Sequence, residues 1–196
     1  MRTLAQLILT ALAAVSVENI LFSCGIGFSR VLRAARRPRT IGLYSLFVAF
    51  FSLVSMTVGS LLNPVLLSGE ALAWLRPALL ALCAAAAYGA AAAALKFGLP
   101  EFYRKHGEIL SPAAMNTVVL SMPYVQKTFQ LPLARAMAFA LGTGGAFFLA
   151  ATLLAHIVPR FKNEDMPKAF SGFPAVLIYL GILSLAFAGF TGGRLF

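Results

Sequence analysis

Residues 109–129 read ILSPAAMNTVVLSMPYVQKTF, and this stretch decides the fold. It is apolar enough to enter a membrane, yet only ten residues separate Pro112 from Pro123. Ten residues make about 15 Å of α-helix, whereas the hydrocarbon core of a bilayer is about 30 Å thick. We therefore predict a broken helix at this place, which cannot cross the bilayer alone.

A second interrupted segment lies near the start of the chain. Residues 17–30, VENILFSCGIGFSR, end an apolar run with two glycines, Gly25 and Gly27. Both interrupted segments carry an asparagine, Asn19 and Asn116, and each comes first in a set of three predicted helices. Interrupted segments at matching positions in two halves indicate an inverted repeat with a site near the membrane midplane.

The composition agrees with a membrane protein. Of the 196 residues, 60% are hydrophobic and only 11% are charged, whereas soluble domains contain about 45–50% apolar and about 25% charged residues. No polar stretch is long enough to form a soluble domain. We predict an all-α integral membrane protein that forms one domain, 1–196, with six transmembrane helices in two inverted three-helix repeats, at about 1–97 and 98–196. The predicted helices, of which the first and fourth are broken, span about 3–24, 41–63, 71–97, 109–124, 132–158 and 171–192.

The net charge of +10 would suggest nucleic acid in a soluble protein, but these lysines and arginines lie mainly between hydrophobic runs. There they act as signals of orientation, because positive loops stay in the cytoplasm. We therefore expect the lipid bilayer, and no nucleic acid, as the partner of these charges. Eleven basic residues fall on one side and five on the other, which predicts a bacterial cytoplasmic (inner) membrane protein with both termini outside. The eleven are Arg30, Arg33, Arg36, Arg37, Arg39, Lys96, Arg104, Lys105, Arg160, Lys162 and Lys168; the five are Arg2, Arg76, Lys127, Arg135 and Arg194. An anionic-lipid or partner contact of the first arginine cluster stays open.

Glu18 is the one acid well inside a predicted span, and a carboxylate in that environment is a candidate functional group. Two interpretations are open for Glu18: a hydrogen bond to the broken backbone of the opposite repeat, alongside Asn19 and Asn116, or a role in ion or proton movement. The sequence has no HExxH motif and no Ser/His/Asp constellation, so we predict no catalytic residue.

The order of motifs resembles a known family. Three stretches carry the resemblance. VENIL (17–21) precedes a basic cluster, and residues 109–129 have an asparagine in a broken helix. The third stretch has the pattern of a last loop and helix and covers residues 165–192, DMPKAFSGFPAVLIYLGILSLAFAGFTG. Together they resemble the integral-membrane subunits of the Rnf and Na⁺-translocating NADH:quinone oxidoreductase (Nqr) complexes, above all the A subunit of Rnf and the E subunit of Nqr. The weakest part of the resemblance is 63–110.

The resemblance implies a role in electron transfer across the membrane, beside a homologous subunit of opposite topology and other redox subunits. It also implies a [2Fe–2S] cluster shared with that homologous subunit, with one cysteine from each broken helix. Here the matching positions are Ser29 and Thr117. Hydroxyl groups do not replace thiolates, because iron–sulfur clusters are held mainly by cysteine sulfur. A gap in the alignment would make Cys24 the first ligand, but the second would still be missing, and Cys83 lies in the least matched region.

We therefore expect no cofactor and no metal in this chain. The leading hypothesis is a membrane subunit of an Rnf/Nqr-type ion-translocating electron-transport complex, or a metal-free paralogue of one. The alternative is a stand-alone small transporter or channel whose midplane site lies between the two broken helices. The residues expected at that midplane are Glu18, Asn19, Cys24, Ser29, Asn116 and Thr117.

Overall fold

In the computed structural model, residues 2–66, 70–162, 167 and 170–190 are described, and every regular element among them is helical. Two short 3₁₀ turns, Pro38–Thr40 and Val158–Lys162, lie between α-helices. The α-helices are α1 (Arg2–Val15), α2 (Ile20–Cys24), α3 (Phe28–Ala35), α4 (Ile41–Leu66), α5 (Glu70–Gly98), α6 (Pro100–Ala114), α7 (Thr117–Phe129), α8 (Leu133–Ile157) and α9 (Phe173–Phe190).

Several of these helices are long and apolar enough to cross a membrane. Four stretches of 22 to 28 residues have mean hydropathies of 1.8 to 2.0: Thr3–Cys24, Pro38–Leu62, Trp74–Gly98 and Leu133–Arg160. A shorter apolar helix covers Phe173–Gly189. The predicted all-α class is therefore confirmed for the described residues, and the chain is a multi-pass membrane protein.

Four predicted helices agree with the structure to within a few residues. The predictions for 41–63, 71–97, 132–158 and 171–192 correspond to α4, α5, α8 and α9. Residues 191–192 lie outside the described residues, as do Lys168 and Arg194, which were counted for the orientation.

The two broken segments differ in detail from their predictions. The first is interrupted twice: between Val15 and Ile20, and again at Gly25 and Gly27, both of which have positive φ. The fourth begins earlier than expected, at Pro100, and its break lies at Met115 and Asn116 rather than at a proline.

Pro112 lies inside α6 and Pro123 inside α7, so neither proline ends its helix. A proline in a helix leaves the carbonyl four residues earlier without its N–H donor. For Pro123 that carbonyl belongs to Val119, and the hydroxyl of Ser55 on α4 donates to it at 2.8 Å. This hydrogen bond from a neighbouring helix lets α7 continue through its proline.

Helix α8 is the centre of the bundle, and it packs against α1, α3 and α4. Its glycines allow this close approach. A Cβ atom at Gly144 would lie 2.3 Å from Cβ and 2.9 Å from Cα of Ala49 on α4, and one at Gly142 would lie 2.3 Å from the carbonyl oxygen of Ala11 on α1. Small residues let membrane helices pack backbone to backbone, where dispersion rather than the hydrophobic effect holds them together.

We expect Gly144→Ala to destabilise the protein by about 1–3 kcal/mol, because the new methyl group must push α4 away from α8. The matched control is Gly181→Ala in α9, where a Cβ would meet no atom within 4 Å. The measurement is thermal unfolding in detergent, followed by the loss of the monodisperse size-exclusion peak. Equal midpoints for the two variants would contradict this account of the packing.

Candidate functional site

Asn19 joins the two halves of the first broken segment. Its side chain is fully buried, and its Oδ1 accepts hydrogen bonds from the backbone N–H groups of Leu21 (3.2 Å) and Phe22 (3.4 Å). Its Nδ2 donates to the carbonyl of Val15 at 2.8 Å, at the end of α1. One asparagine thus satisfies donors at the start of α2 and an acceptor at the end of α1, which helix ends otherwise leave without partners.

Asn116 has the same position in the second broken segment. It is also fully buried, and its Oδ1 accepts from the backbone N–H of Val118 at 3.2 Å, at the start of α7. Its Nδ2 has no hydrogen-bond partner among the described residues. Each half-helix therefore begins with a buried asparagine as its N-cap.

The two broken segments meet at Gly27. This glycine has a φ of +82°, in the left-handed region that disfavours side chains. A Cβ atom placed there would lie 2.2 Å from Cγ2 of Val118 and 3.1 Å from Oδ1 of Asn116. The turn between α2 and α3 is therefore in van der Waals contact with the start of α7, and no residue larger than glycine fits.

Three hydroxyl groups on long helices bond to carbonyls of the broken segments. Ser55 binds Val119 as described above; Tyr44 on α4 donates to the carbonyl of Pro112 at 2.8 Å; and Ser184 on α9 donates to the carbonyl of Phe22. The last two carbonyls lie near helix ends, where the i+4 donor of a continuous helix is absent. In hydrocarbon no water replaces such a donor, so a side chain must do so.

Arg76 is a buried cation on α5. Only 7% of it is exposed, its Nη2 donates to the carbonyl of Pro123 at 3.4 Å, and its guanidinium carbon lies 4.6 Å from the centre of the Tyr124 ring. From the sequence alone, Arg76 counts only as one of the charges that predict the orientation. The missed signal was its place inside an apolar helix, where an arginine needs partners.

Five of the six predicted midplane residues fall into two groups by their exposure. Asn19 and Asn116 are buried at the helix breaks, whereas Ser29, Thr117 and Cys24 are exposed. Ser29 lines an apolar recess of about 460 Å³ between α2, α3 and α9.

Glu18 lies in the first broken segment, next to Asn19. Its side chain is half-buried, and within the described residues it makes no hydrogen bond to the opposite half of the chain. The two asparagines each cap their own half-helix instead. The hydrogen bond of Glu18 to the broken backbone of the opposite repeat and its role in ion or proton movement both stay predictions.

The side chains at this site do not fit an iron–sulfur cluster. Cys24 ends α2, which packs on α8 and α9, while Cys83 is on α5, which packs on α4, α6 and α7. The cysteines thus lie on elements with different neighbours, and the positions implied by the resemblance carry hydroxyls, which are poor ligands for such clusters.

Comparisons with known proteins agree with the resemblance noted from the motifs. A family model described as "Rnf-Nqr subunit, membrane protein" matches residues 7–193. The A subunit of the Na⁺-translocating ferredoxin:NAD⁺ oxidoreductase complex of Acetobacterium woodii is 25% identical over 189 residues, which cover 96% of this chain and 98% of that protein. The A subunit of the ion-translocating oxidoreductase complex of Syntrophotalea carbinolica is 27% identical over 95% of this chain and 97% of its own. The E subunit of the Na⁺-translocating NADH-quinone reductase of Chlamydia muridarum is 28% identical over 92% of this chain and 79% of its own.

We expect Asn116→Ala to lower stability by about 0.5–2 kcal/mol, because the start of α7 loses its capping acceptor. Asn116→Ser retains a short oxygen acceptor, so the loss should be smaller. Thermal unfolding of the purified chain measures both. An alanine variant no less stable than the serine variant would contradict the capping role.

Proposed function

Because this chain belongs to the Rnf-Nqr family of membrane subunits, we propose that it is an integral-membrane subunit of an ion-translocating electron-transport complex. The family match over residues 7–193 is the observation that carries the proposal. The relatives from A. woodii, S. carbinolica and C. muridarum are each named as one subunit of a multi-subunit redox complex. The partners of this chain are then the other redox subunits of such a complex.

Within that complex the chain is one membrane domain, 1–196, of two inverted three-helix repeats, about 1–97 and 98–196. The order of elements supports this division. Each half begins with a segment broken at a buried asparagine, Asn19 or Asn116, and continues with two apolar helices: α4 and α5 in the first half, α8 and α9 in the second. Because each half crosses the membrane an odd number of times, three, the second half is inserted in the opposite direction to the first.

The protein lies in a bacterial cytoplasmic membrane with both termini outside, next to a homologous subunit of opposite topology. The excess of basic residues between the first and second spans supports this orientation. Ser29 and Thr117 are exposed beside the contact of the broken segments, so a partner has access to both.

The chain holds no cluster of its own and has no catalytic residue. The support is the donor set, because Ser29 and Thr117 stand where the resemblance implies thiolates. The flavin and iron–sulfur centres belong to its partners, while this subunit contributes the membrane scaffold.

The test is purification of the tagged full chain from its own host in mild detergent, followed by identification of co-purifying subunits and by iron analysis. We expect redox subunits to co-purify, and iron per complex to be the same for the native chain and for the Cys24→Ala, Cys83→Ala variant. A chain that purifies alone and transports a solute would favour the transporter or channel. Loss of iron on replacement of Cys24 would overturn the metal-free assignment.

The arrangement of the two broken segments has a separate test. In a Cys24→Ala, Cys83→Ala background, we expect the pair Ser29→Cys, Thr117→Cys to be joined by a short thiol-specific crosslinker. The control pair is Ser29→Cys, Thr128→Cys, since Thr128 lies about 16 Å further along α7. Equal crosslinking of the two pairs, or of neither in well-folded protein, would contradict the arrangement.

A further inference from the structure

A small cleft with charged side chains in its lining lies between α3, α4 and α6, away from the contact of the two broken segments. Its volume is about 150 Å³. Its lining residues are Arg33, Ala34, Arg37, Thr40, Tyr44, Glu108, Ile109 and Pro112. Two elements from opposite halves of the sequence therefore bring two guanidinium groups and one carboxylate to the same cleft.

These opposite charges line one cleft without pairing. Arg33, Arg37 and Glu108 are all exposed, and within the described residues none of them forms an ion pair within 4.0 Å. The two hydroxyls of the cleft are already used as donors: Thr40 donates to the carbonyl of Arg37, and Tyr44 donates to that of Pro112. Only the charged side chains therefore remain to bind a ligand. A ligand that pairs with the arginines and with Glu108 must carry a negative and a positive charge.

The position of the cleft selects the class of ligand. The apolar span of α4 begins at Pro38, directly after Arg37, so the cleft lies where a helix leaves the hydrocarbon. At that level the abundant molecules are lipid headgroups, and arginine binds phosphate oxygens through its planar fork of N–H donors.

We propose that this cleft binds the headgroup of phosphatidylethanolamine, with the phosphodiester at Arg33 and Arg37 and the ammonium group at Glu108. The phosphodiester carries one negative charge and the ammonium one positive charge, so each finds its opposite. Glu108 disfavours a free phosphate ion, whose second negative charge would face the carboxylate. This site is distinct from the proposed subunit role, since it requires no redox partner.

The test measures lipid binding to the purified full chain by native mass spectrometry. Phosphatidylethanolamine, phosphatidylglycerol and phosphatidylcholine with identical acyl chains are compared, because only the first has an ammonium group that donates hydrogen bonds. We expect the native chain to prefer phosphatidylethanolamine, and R33Q/R37Q to weaken that binding about tenfold, because the phosphodiester loses its charge-assisted hydrogen bonds.

The matched control is R36Q/R39Q, which removes the same charge from the same segment but from outside the cleft. We expect it to change binding less than about twofold, because neither Arg36 nor Arg39 lines the cleft. The variant E108Q should abolish the preference for phosphatidylethanolamine over phosphatidylglycerol, and it leaves the arginine segment unchanged.

Three results would overturn the proposal. Equal losses of lipid binding in R33Q/R37Q and R36Q/R39Q would show that the lipid responds only to surface charge. Displacement of the lipid by the same concentration of inorganic phosphate would assign the cleft to a soluble anion. Unchanged lipid binding together with loss of a co-purifying subunit from R33Q/R37Q would assign it to a protein partner.

Discussion

A backbone that breaks inside a membrane must find new partners for its polar groups, and the rest of this structure depends on that requirement. Water satisfies such groups at the surface of a soluble protein but is absent from hydrocarbon. Here Asn19 and Asn116 supply acceptors to the starts of two half-helices, while hydroxyls on α4 and α9 supply donors to carbonyls. Both breaks are stable because side chains supply the hydrogen-bond partners that the interrupted backbone lacks.

The same partners explain how the fold holds together without any metal-ligating side chain at Ser29 or Thr117. The asparagines and hydroxyls bind the polar groups of the broken backbone directly, and the side chains of Ser29 and Thr117 take no part in these hydrogen bonds. Both of those side chains are exposed at the edge of the arrangement. We therefore expect a substitution of either side chain to leave the capping, the glycine contact at Gly27 and the packing around α8 unaffected.

The sequence predicted the membrane class, the family and the existence of two broken segments, because hydropathy and motif order are local signals. The place of the second break was harder. Prolines are ordinary markers of helix ends, yet Pro123 lies within α7, since Ser55, distant in sequence, takes the carbonyl that the proline leaves free. Asn116 was the better marker, because a buried N-cap acts on its own helix. The partners of Arg76 and Tyr44 come from other helices, and no local pattern identifies such pairs.

The hydrogen bond from Ser184 to Phe22 joins residues 162 positions apart. Phe22 is synthesised early, and its carbonyl has no Ser184 to bind until the last helix has been made. At a synthesis rate of about 5–20 residues per second this delay is roughly 10 to 30 s. During that interval the carbonyl of Phe22 lacks the donor that Ser184 supplies in the finished fold, although Asn19 can already cap α2. Biogenesis of this protein is therefore complete only when its last helix has closed over its first.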